Sequence, residues 1–358
     1  MAANRQRLSV TEFDFDEVKD NLKLFMRNQT EFKDYDFEGS GLSALLDVLA
    51  YNTHYLGFNA NMLANEMFLD SSQLRSSVVS HAKTLGYTTR SATASNAVVD
   101  IFLNTTNASA TMPAGTVFSA SVGDESYQFV TISNVTSSNS GSNIVFDDIR
   151  IYEGSYVSSR YVADTQNVEQ RFLINDDRAD TTTLSVIVQN SATDTIQTTF
   201  TQATDISGLT STSNVYFIQE VEDGQYEIYF GDGILGSAIE DGNIIIMQYV
   251  VTNKGAANGA STFTSSTAID TVNSVNVVTV SNSAGGSEPE SIESIKYNAP
   301  LDYASQGRCV TTEDYKTYVK QLFANTQAVS VWGGEDGSFN DVSGVSDIAE
   351  YGKVFISV

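Results

Sequence analysis

The chain has 358 residues, enough for two to four domains, and 41% of them are apolar, so cores can form without disulfides or metal ions. Its net charge of −25 repels phosphate backbones and anionic lipids, which argues against nucleic acid and membrane surfaces as partners. The one cysteine, Cys309, excludes an internal disulfide and suits assembly in a reducing cytoplasm, and no apolar run is long enough for a transmembrane helix.

Residues 1–90 carry helical periodicity. The polar stretch 1–10 does not fit a secretory signal peptide. Asp14 and Glu17 form a capping-box pattern at the start of a first helix. A second helix is predicted from Gly39–Gly41 onward, and Gly57 is a candidate for a break in it. The apolar stripe of this second helix consists of Leu42, Leu45, Leu46, Leu49 and Leu56.

A third helix is predicted after a second capping-box pattern, Asp70 with Gln73, and before Gly86, whose type favours the left-handed conformation at a helix end. Aromatic residues crowd the region between 13 and 37, and they fit either a local core or a surface that packs on partner helices. Our candidates for a partner interface are the apolar residues of the first two helices: Val18, Leu22, Phe25, Leu42, Leu45, Leu46 and Leu49.

Residues 91–285 are rich in Thr, Ser, Asn, Val and Gly and predict a β-rich middle region, with a split into two subdomains near 165–180 as one option. Between Ala179 and Asn253 the sequence has ten acidic residues and no Lys or Arg. This charge disfavours the binding of an anionic ligand to the region. The strands expected in it are 97–103, 116–118, 144–152, 184–188, 215–218, 226–230 and 244–251.

The last two of these strands are linked through Gly231, Asp232 and Gly233, a turn signature. If Asp232-Gly233 forms a type I′ turn, Gly233 needs a positive φ. Replacing Gly233 with Val should then cost about 1 kcal/mol or more, and an unchanged melting temperature would contradict this interpretation.

Residues 286–358 return to mixed helix and strand. A short helix is predicted to end at Pro300, and Thr311 with Asp314 caps the next one. Strands are expected at 328–332 and 353–358, and we expect the natural chain to continue beyond Val358. The predicted class is α+β and multidomain: helices in 1–90, a β-rich middle in 91–285, and the start of a small α/β domain in 286–358.

No pattern points to catalysis, a cofactor or a metal site. Phosphate-loop, dinucleotide-binding and nucleophile-elbow motifs are absent, and the two histidines, His54 and His81, fit structural roles. Acidic residues gather at 222, 223, 232, 240 and 241, where Ca²⁺ binding or glycoside hydrolysis are alternatives, but Asp-Gly turn chemistry explains them. Arg308 could lower the pKa of Cys309, although a buried, inert thiol is the better interpretation.

Four groups of segments carry a resemblance. They are 37–54 with 69–78 and 85–87; 112–118; 229–236 with 240–242 and 258–259; and 285–290 with 299–300, 306–308, 311–315 and 332–335. In this order and spacing they resemble the Baseplate J-like family, specifically the large wedge proteins of contractile-tailed phages, over about 300 residues. The family usually continues through further C-terminal domains, so this chain ends early by comparison.

The resemblance implies a structural role in the virion, without a small-molecule substrate. It implies two copies in each of six wedges, and N-terminal helices that bundle with a second wedge protein and with the small sheath-initiating subunit. It also implies that neighbouring wedges form a ring around the hub, partly through a ferredoxin-like C-terminal domain. This ring changes diameter when the tail contracts. The alternatives are a β-rich adhesin or receptor-binding module, motivated by the Ser/Thr-rich middle, and a tail-associated hydrolase that uses Asp232 or Glu240.

Overall fold

The computed structural model describes residues 14–27, 40–139, 141, 143–167, 170–204, 206, 208–221, 224–265, 267–323, 326, 328–334 and 352–358. The chain divides into two compact units, Met1–Thr84 and Leu85–Val358. The described part of the first unit is mainly helical, whereas strands dominate the described part of the second, which also has helices near its end. This mixture confirms the predicted α+β, multidomain class.

The helices of the first unit are α1 (Phe15–Arg27), α2 (Gly41–Glu66) and α3 (Arg75–Thr84). At the start of α2, the side chain of Ser40 accepts a hydrogen bond from the backbone N–H of Ser43 at 3.0 Å, which is an N-cap. The helix then runs through Gly57 to its end, so the predicted break is wrong. One glycine costs a helix only about 1 kcal/mol, which the neighbouring Leu, Ala and Met residues can offset.

The N-terminus of α3 is capped from the preceding helix. The Glu66 carboxylate accepts hydrogen bonds from the backbone N–H groups of Gln73, at 2.8 Å, and Leu74. The predicted Asp70–Gln73 capping box is therefore wrong, because Glu66 satisfies the amide groups that it would have served. Gly86, by contrast, has the positive φ of +80° predicted for the residue that ends this helix.

Seventeen strands are formed by the described residues of the second unit. They are β1 (Asn96–Asn104), β2 (Ser109–Met112), β3 (Val117–Val122), β4 (Glu125–Val130), β5 (Val135–Ser138), β6 (Asn143–Glu153), β7 (Ser155–Val162), β8 (Phe172–Ile174), β9 (Ala179–Gln189), β10 (Gln197–Gln202), β11 (Val215–Glu220), β12 (Tyr226–Phe230), β13 (Ile244–Val251), β14 (Thr264–Ser265), β15 (Val275–Ala284), β16 (Ser330–Gly333) and β17 (Val354–Ser357). The predicted strands of the middle region are confirmed, with β3 beginning one residue later than expected.

The first sheet has the order β14-β3-β4-β6-β1-β15. Every second residue of β1 is buried, from Ala97 to Leu103, because alternate side chains of a strand point to the same face. These side chains join a core in which the rings of Phe129 and Phe263 meet edge to face, with their centroids 5.0 Å apart. The buried face thus explains why the alternating pattern identifies this strand.

The first sheet is interrupted in sequence by the second, whose order is β7-β13-β9-β10-β11-β12-β8. The chain leaves the first sheet at Gly154 and returns after β13. At this double crossing the buried Glu153 carboxylate accepts hydrogen bonds from the Thr252 hydroxyl at 2.7 Å and from the Asn253 backbone N–H at 2.9 Å. One carboxylate therefore ties the outgoing chain to the returning chain.

Gly154 occupies a position that only glycine fits. Its φ is +125°, and a Cβ atom there would lie 2.2 Å from the Val251 carbonyl oxygen. The absence of a side chain therefore allows the two crossing segments to approach each other.

The turn at Gly231–Gly233 differs from its predicted form. β12 pairs with β11 and β8, whereas β13 pairs with β7 and β9, so no hairpin joins β12 to β13. Gly233 has the predicted positive φ of +85°, but Asp232 is not among the described residues with positive φ, as a type I′ turn requires. The Asp232 side chain instead accepts hydrogen bonds from the backbone of Ile234 and Leu235. An Asx-type turn replaces the predicted type I′ turn.

The C-terminal part contains α4 (Ile292–Ser305) and α5 (Thr312–Leu322), with β16 paired to β17. α4 continues past Pro300, so its predicted end is wrong. Pro300 lies on the exposed side, and burial of Ile295 and Ala299 on the other side holds the helix despite the missing backbone donor. The Thr311–Asp314 capping box of α5 is confirmed. The ferredoxin-like arrangement stays a prediction.

Candidate partner-binding surface

The surface of α2 is apolar on more than one side. Ser43, Leu46 and Ala50 form its buried edge. A helix turns about 100° per residue, so the large apolar residues on the rest of its surface fall into two stripes, each roughly 120° from that edge. Stripe A consists of Leu45, Leu49, Leu56 and Leu63, and stripe B of Val48, Tyr51, Tyr55, Phe58 and Met62. Every member of both stripes is at least 41% exposed.

So many exposed apolar side chains are unusual for a helix on the surface of a protein. Surface helices normally present one apolar stripe to the core and polar residues to water. α2 has no Lys or Arg, and its only two acidic residues are Asp47 and Glu66. Asp47 lies 2.6 Å from the Lys19 ammonium group of α1, and Glu66 caps α3. Stripes A and B therefore form a large apolar surface that a protein partner would be expected to cover.

The seven predicted interface residues divide by burial. Phe25, Leu45 and Leu49 are exposed, and Leu22 and Leu42 are half-buried. Val18 and Leu46 are buried in the described structure, so they contribute to the interior of the first unit and are not open to a partner. Phe25, Leu45 and Leu49 are thus accessible to a partner, and their role in an interface stays a prediction.

Sequence reasoning missed all of stripe B. A single-stripe template finds the leucines at positions 42–56, but it passes over residues that belong to a second stripe on the same helix. The available signal was the nearly continuous apolar and aromatic content from Leu42 to Phe68, which is typical of a helix covered on several sides. Tyr51 and Tyr55 also contact each other, with ring centroids 5.4 Å apart.

Among the described residues of the candidate acidic site, Asp232 and Asp241 are held by local hydrogen bonds. Glu222 and Asp223 lie outside the described residues. Asp232 is engaged by the backbone of its own turn, and its hydrogen bonds from Leu235 and Ile234 hold its pKa below the usual value. Asp241 accepts a hydrogen bond from the Thr165 backbone at 3.2 Å. Across the residues that the structure describes, no three His, Cys, Asp or Glu side chains are grouped to hold a metal ion.

His81 and Cys309 each have a described local environment. His81 Nε2 lies 2.9 Å from the Glu66 carbonyl oxygen, which positions the ring between α3 and the end of α2. Burial and the nearby Asp314 charge raise the pKa of the Cys309 thiol, the opposite of what activation by Arg308 would do. None of the described helices is long and apolar enough to cross a membrane.

Buried carboxylates instead fasten the segment 87–94 to later parts of the second unit, to which it belongs. The Tyr87 hydroxyl donates to Glu290 at 2.9 Å, and burial, followed by the Glu290 charge, raises the Tyr87 pKa. The Thr89 hydroxyl donates to Glu220, and the Ala94 backbone N–H donates to Asp180 at 2.8 Å. These carboxylates accept hydrogen bonds from residues that are distant in sequence, and so they hold the packed segments together.

Comparison with known proteins gives matches along much of the chain. Three family models match: the helical domain of gp6-like baseplate wedge proteins at residues 14–87, the third domain of bacteriophage baseplate wedge protein gp6 at 160–261, and C-terminal domain I of baseplate structural protein gp6 at 311–358. The baseplate wedge protein gp6 of Enterobacteria phage T4 is 32% identical over 351 residues, with 89% of this chain aligned. The chain spans about half, 51%, of the length of that relative.

A solved structure, the six-fold symmetrised cryo-EM structure of the anti-feeding prophage baseplate, is also similar in part. It matches 88% of this chain and 57% of its own chain, at 11% identity and a TM-score of 0.30.

Proposed function

Because the chain belongs to the baseplate wedge protein family, we propose that it is a structural subunit of a phage tail baseplate wedge and that stripes A and B of α2 are its main assembly surface. The observation that carries this proposal is the exposure of nine large apolar side chains on one helix. Covering them stabilises a complex by roughly 25 cal/mol for each Å² of apolar surface removed from water.

The finer partner assignments extend this proposal. We infer a Baseplate J-like wedge protein present in two copies per wedge, with helices that pack on a second wedge protein and on the small sheath-initiating subunit. Neighbouring wedges then join into a ring around the hub, and the ring rearranges when the tail contracts. Assembly in the host cytoplasm and the absence of enzymatic activity belong to the same proposal. The supporting features are the apolar helix and the lone cysteine.

The test replaces one stripe at a time and measures association. We expect the unmodified chain to self-associate in sedimentation velocity through its uncovered stripes. The double variant Leu45→Glu/Leu56→Glu removes stripe A, and Tyr51→Glu/Phe58→Glu removes stripe B. Either should reduce association at least tenfold without loss of helical circular dichroism, because all four residues are exposed.

The matched control is Ser76→Glu/Ser80→Glu, which adds the same two negative charges at exposed positions of α3. It should associate like the unmodified chain. An unmodified chain that stays strictly monomeric at high concentration would contradict the proposal.

The β-rich adhesin is the second candidate, and the Ser/Thr-rich strands motivate it. A glycan array or host-cell binding assay separates the two. Specific glycan binding that survives loss of both stripes would favour the adhesin, whereas loss of baseplate assembly with no glycan binding would favour the wedge subunit.

A further inference from the structure

The turn Gly231–Gly236, which follows β12, holds two large aliphatic side chains in solvent. Ile234 is 74% exposed and Leu235 is 45% exposed. The Asp232 side chain accepts hydrogen bonds from the backbone N–H groups of both residues, at 2.9 and 3.0 Å. The Gly233 backbone N–H donates to the Gly236 carbonyl at 3.1 Å and closes the turn. The exposed pair is therefore presented in a fixed conformation.

The same turn is anchored to the connection between β10 and β11. The backbone N–H of Gly236 donates to the Thr210 carbonyl at 3.1 Å, and that of Ser237 donates to the Ser213 carbonyl at 2.8 Å. A Cβ atom on Gly231 would lie 2.3 Å from the Leu235 carbonyl oxygen, so the two ends of the turn are in close contact. With both ends held, the turn cannot easily fold over to bury its own aliphatic pair. Such preorganisation favours binding because little entropy remains to be lost.

The turn itself and the segment that follows it contain acidic residues, Asp232 and Glu240. Segments from the β9–β10 connection and from the β12–β13 connection line a cleft of about 520 Å³ that includes Asp194 and Glu240. Both residues are exposed, as is Asp232. A hydrogen bond from Asn190 is the main cause that lowers the pKa of Asp194 and keeps it anionic. Since the sequence has no Lys or Arg from 179 to 253, no cation of that segment offsets this charge.

We propose that the turn Gly231–Gly236 is a docking knob that inserts Ile234 and Leu235 into an apolar pocket, rimmed by Lys or Arg side chains, on a different protein of the tail. The proposal rests on the function proposed above, because it needs an assembly to dock into. Self-docking through this turn is disfavoured, because two copies would bring acidic rims together. The knob is distinct from α2, whose stripes carry no charged rim.

The test introduces a photo-cross-linking residue at position 234 in assembled tails and identifies the linked peptide by mass spectrometry. The same residue at Leu56 reports on stripe A, and at the exposed Asn107 it measures non-specific capture. We expect the 234 probe to link a peptide of another protein that contains Lys or Arg near apolar residues. A link to a second copy of this chain, a peptide without basic residues, or no link above the 107 level would overturn the knob.

The Leu56 probe separates the two proposals. A link at Leu56 with none at 234 would refute the knob alone, whereas no link at either position would also refute the proposed function. A second variant tests the energetic role: Ile234→Ser/Leu235→Ser should reduce incorporation into tails at least tenfold. Its control, Val162→Ser, changes an aliphatic residue that is 64% exposed on the edge strand β7 and should leave incorporation unchanged. Equal incorporation of the unmodified chain, Ile234→Ser/Leu235→Ser and Val162→Ser would contradict the docking role of the knob.

Discussion

Gly154 shows how much one backbone position can constrain the second unit. In Gly154→Ala, a methyl group must enter at 2.2 Å from the Val251 carbonyl oxygen, at a φ that disfavours side chains. We expect the free energy of unfolding to fall by about 3 kcal/mol, from strain and overpacking together. The matched control is Gly242→Ala, which has a φ of +79° and open space around its Cβ, and should lose only about 1 kcal/mol. Equal losses in chemical denaturation would mean that the close approach is unimportant.

Asp180 gives a prediction about pH. Burial is the main cause that raises its pKa, against hydrogen bonds led by the Ala94 backbone N–H, which lower it. An acid whose pKa is higher in the folded than in the unfolded state stabilises the fold at low pH, and this contribution is lost as the pH rises through the folded-state pKa. Asp180→Asn removes this dependence. The variant should therefore gain stability relative to the unmodified chain as the pH rises above about 4, the pKa of an unperturbed Asp.

Denaturation at several pH values measures that difference in unfolding free energy. Replacing the carboxyl group of Asp180 with an amide also changes its hydrogen bonds. This change adds a term to the difference in unfolding free energy that does not depend on pH. A difference that stays flat, or that moves in favour of Asp180 as the pH rises, would contradict the burial argument.

At the scale of elements, the capping box of α5 is a local signal that the structure reproduces. The Thr311 side chain accepts from the Asp314 backbone N–H at 3.2 Å, and Asp314 accepts from the Thr311 backbone N–H at 2.8 Å. Thr311→Ala should lower the unfolding free energy by about 1 kcal/mol, whereas Thr311→Ser should retain most of it. Thermal unfolding of both variants tests this. Equal stability of the two would show that the hydroxyl does not contribute.

The strands of the middle region and the cap of α5 were predictable because their signals are local. Alternation fixed the face of β1, and β12 and β13 have the predicted bounds. Pairing was only partly predictable, since one partner of β12, the strand β8, lies more than 40 residues earlier in the chain, and a Gly-Asp-Gly turn does not by itself join the strands on either side of it. Pro300 and Gly57 were predicted to interrupt helices because only the helix propensity of these residues was considered. Burial of side chains on the opposite face holds α4 together. The same omission hid stripe B.

At the scale of the whole molecule, net charge and apolar surface act in opposite directions. The charge of −25 makes copies repel one another, while stripes A and B draw them together. Raising NaCl from 50 to 500 mM screens the repulsion, so self-association of the unmodified chain should strengthen. Sedimentation velocity at both concentrations measures this, with Leu45→Glu/Leu56→Glu as the variant that should respond least. Weaker association at high salt would point to an ion-paired contact instead.

The interruption of the first sheet has a consequence for synthesis. About 170 residues separate the end of β1 from the start of its neighbour β15, and the entire second sheet is encoded between them. At about 5–20 residues per second, a ribosome needs roughly 10–30 s to deliver the missing strand. During that interval one edge of β1 is open to mispairing in the nascent chain. The first sheet therefore stays incomplete, with one edge of β1 unpaired, until β15 has been synthesised.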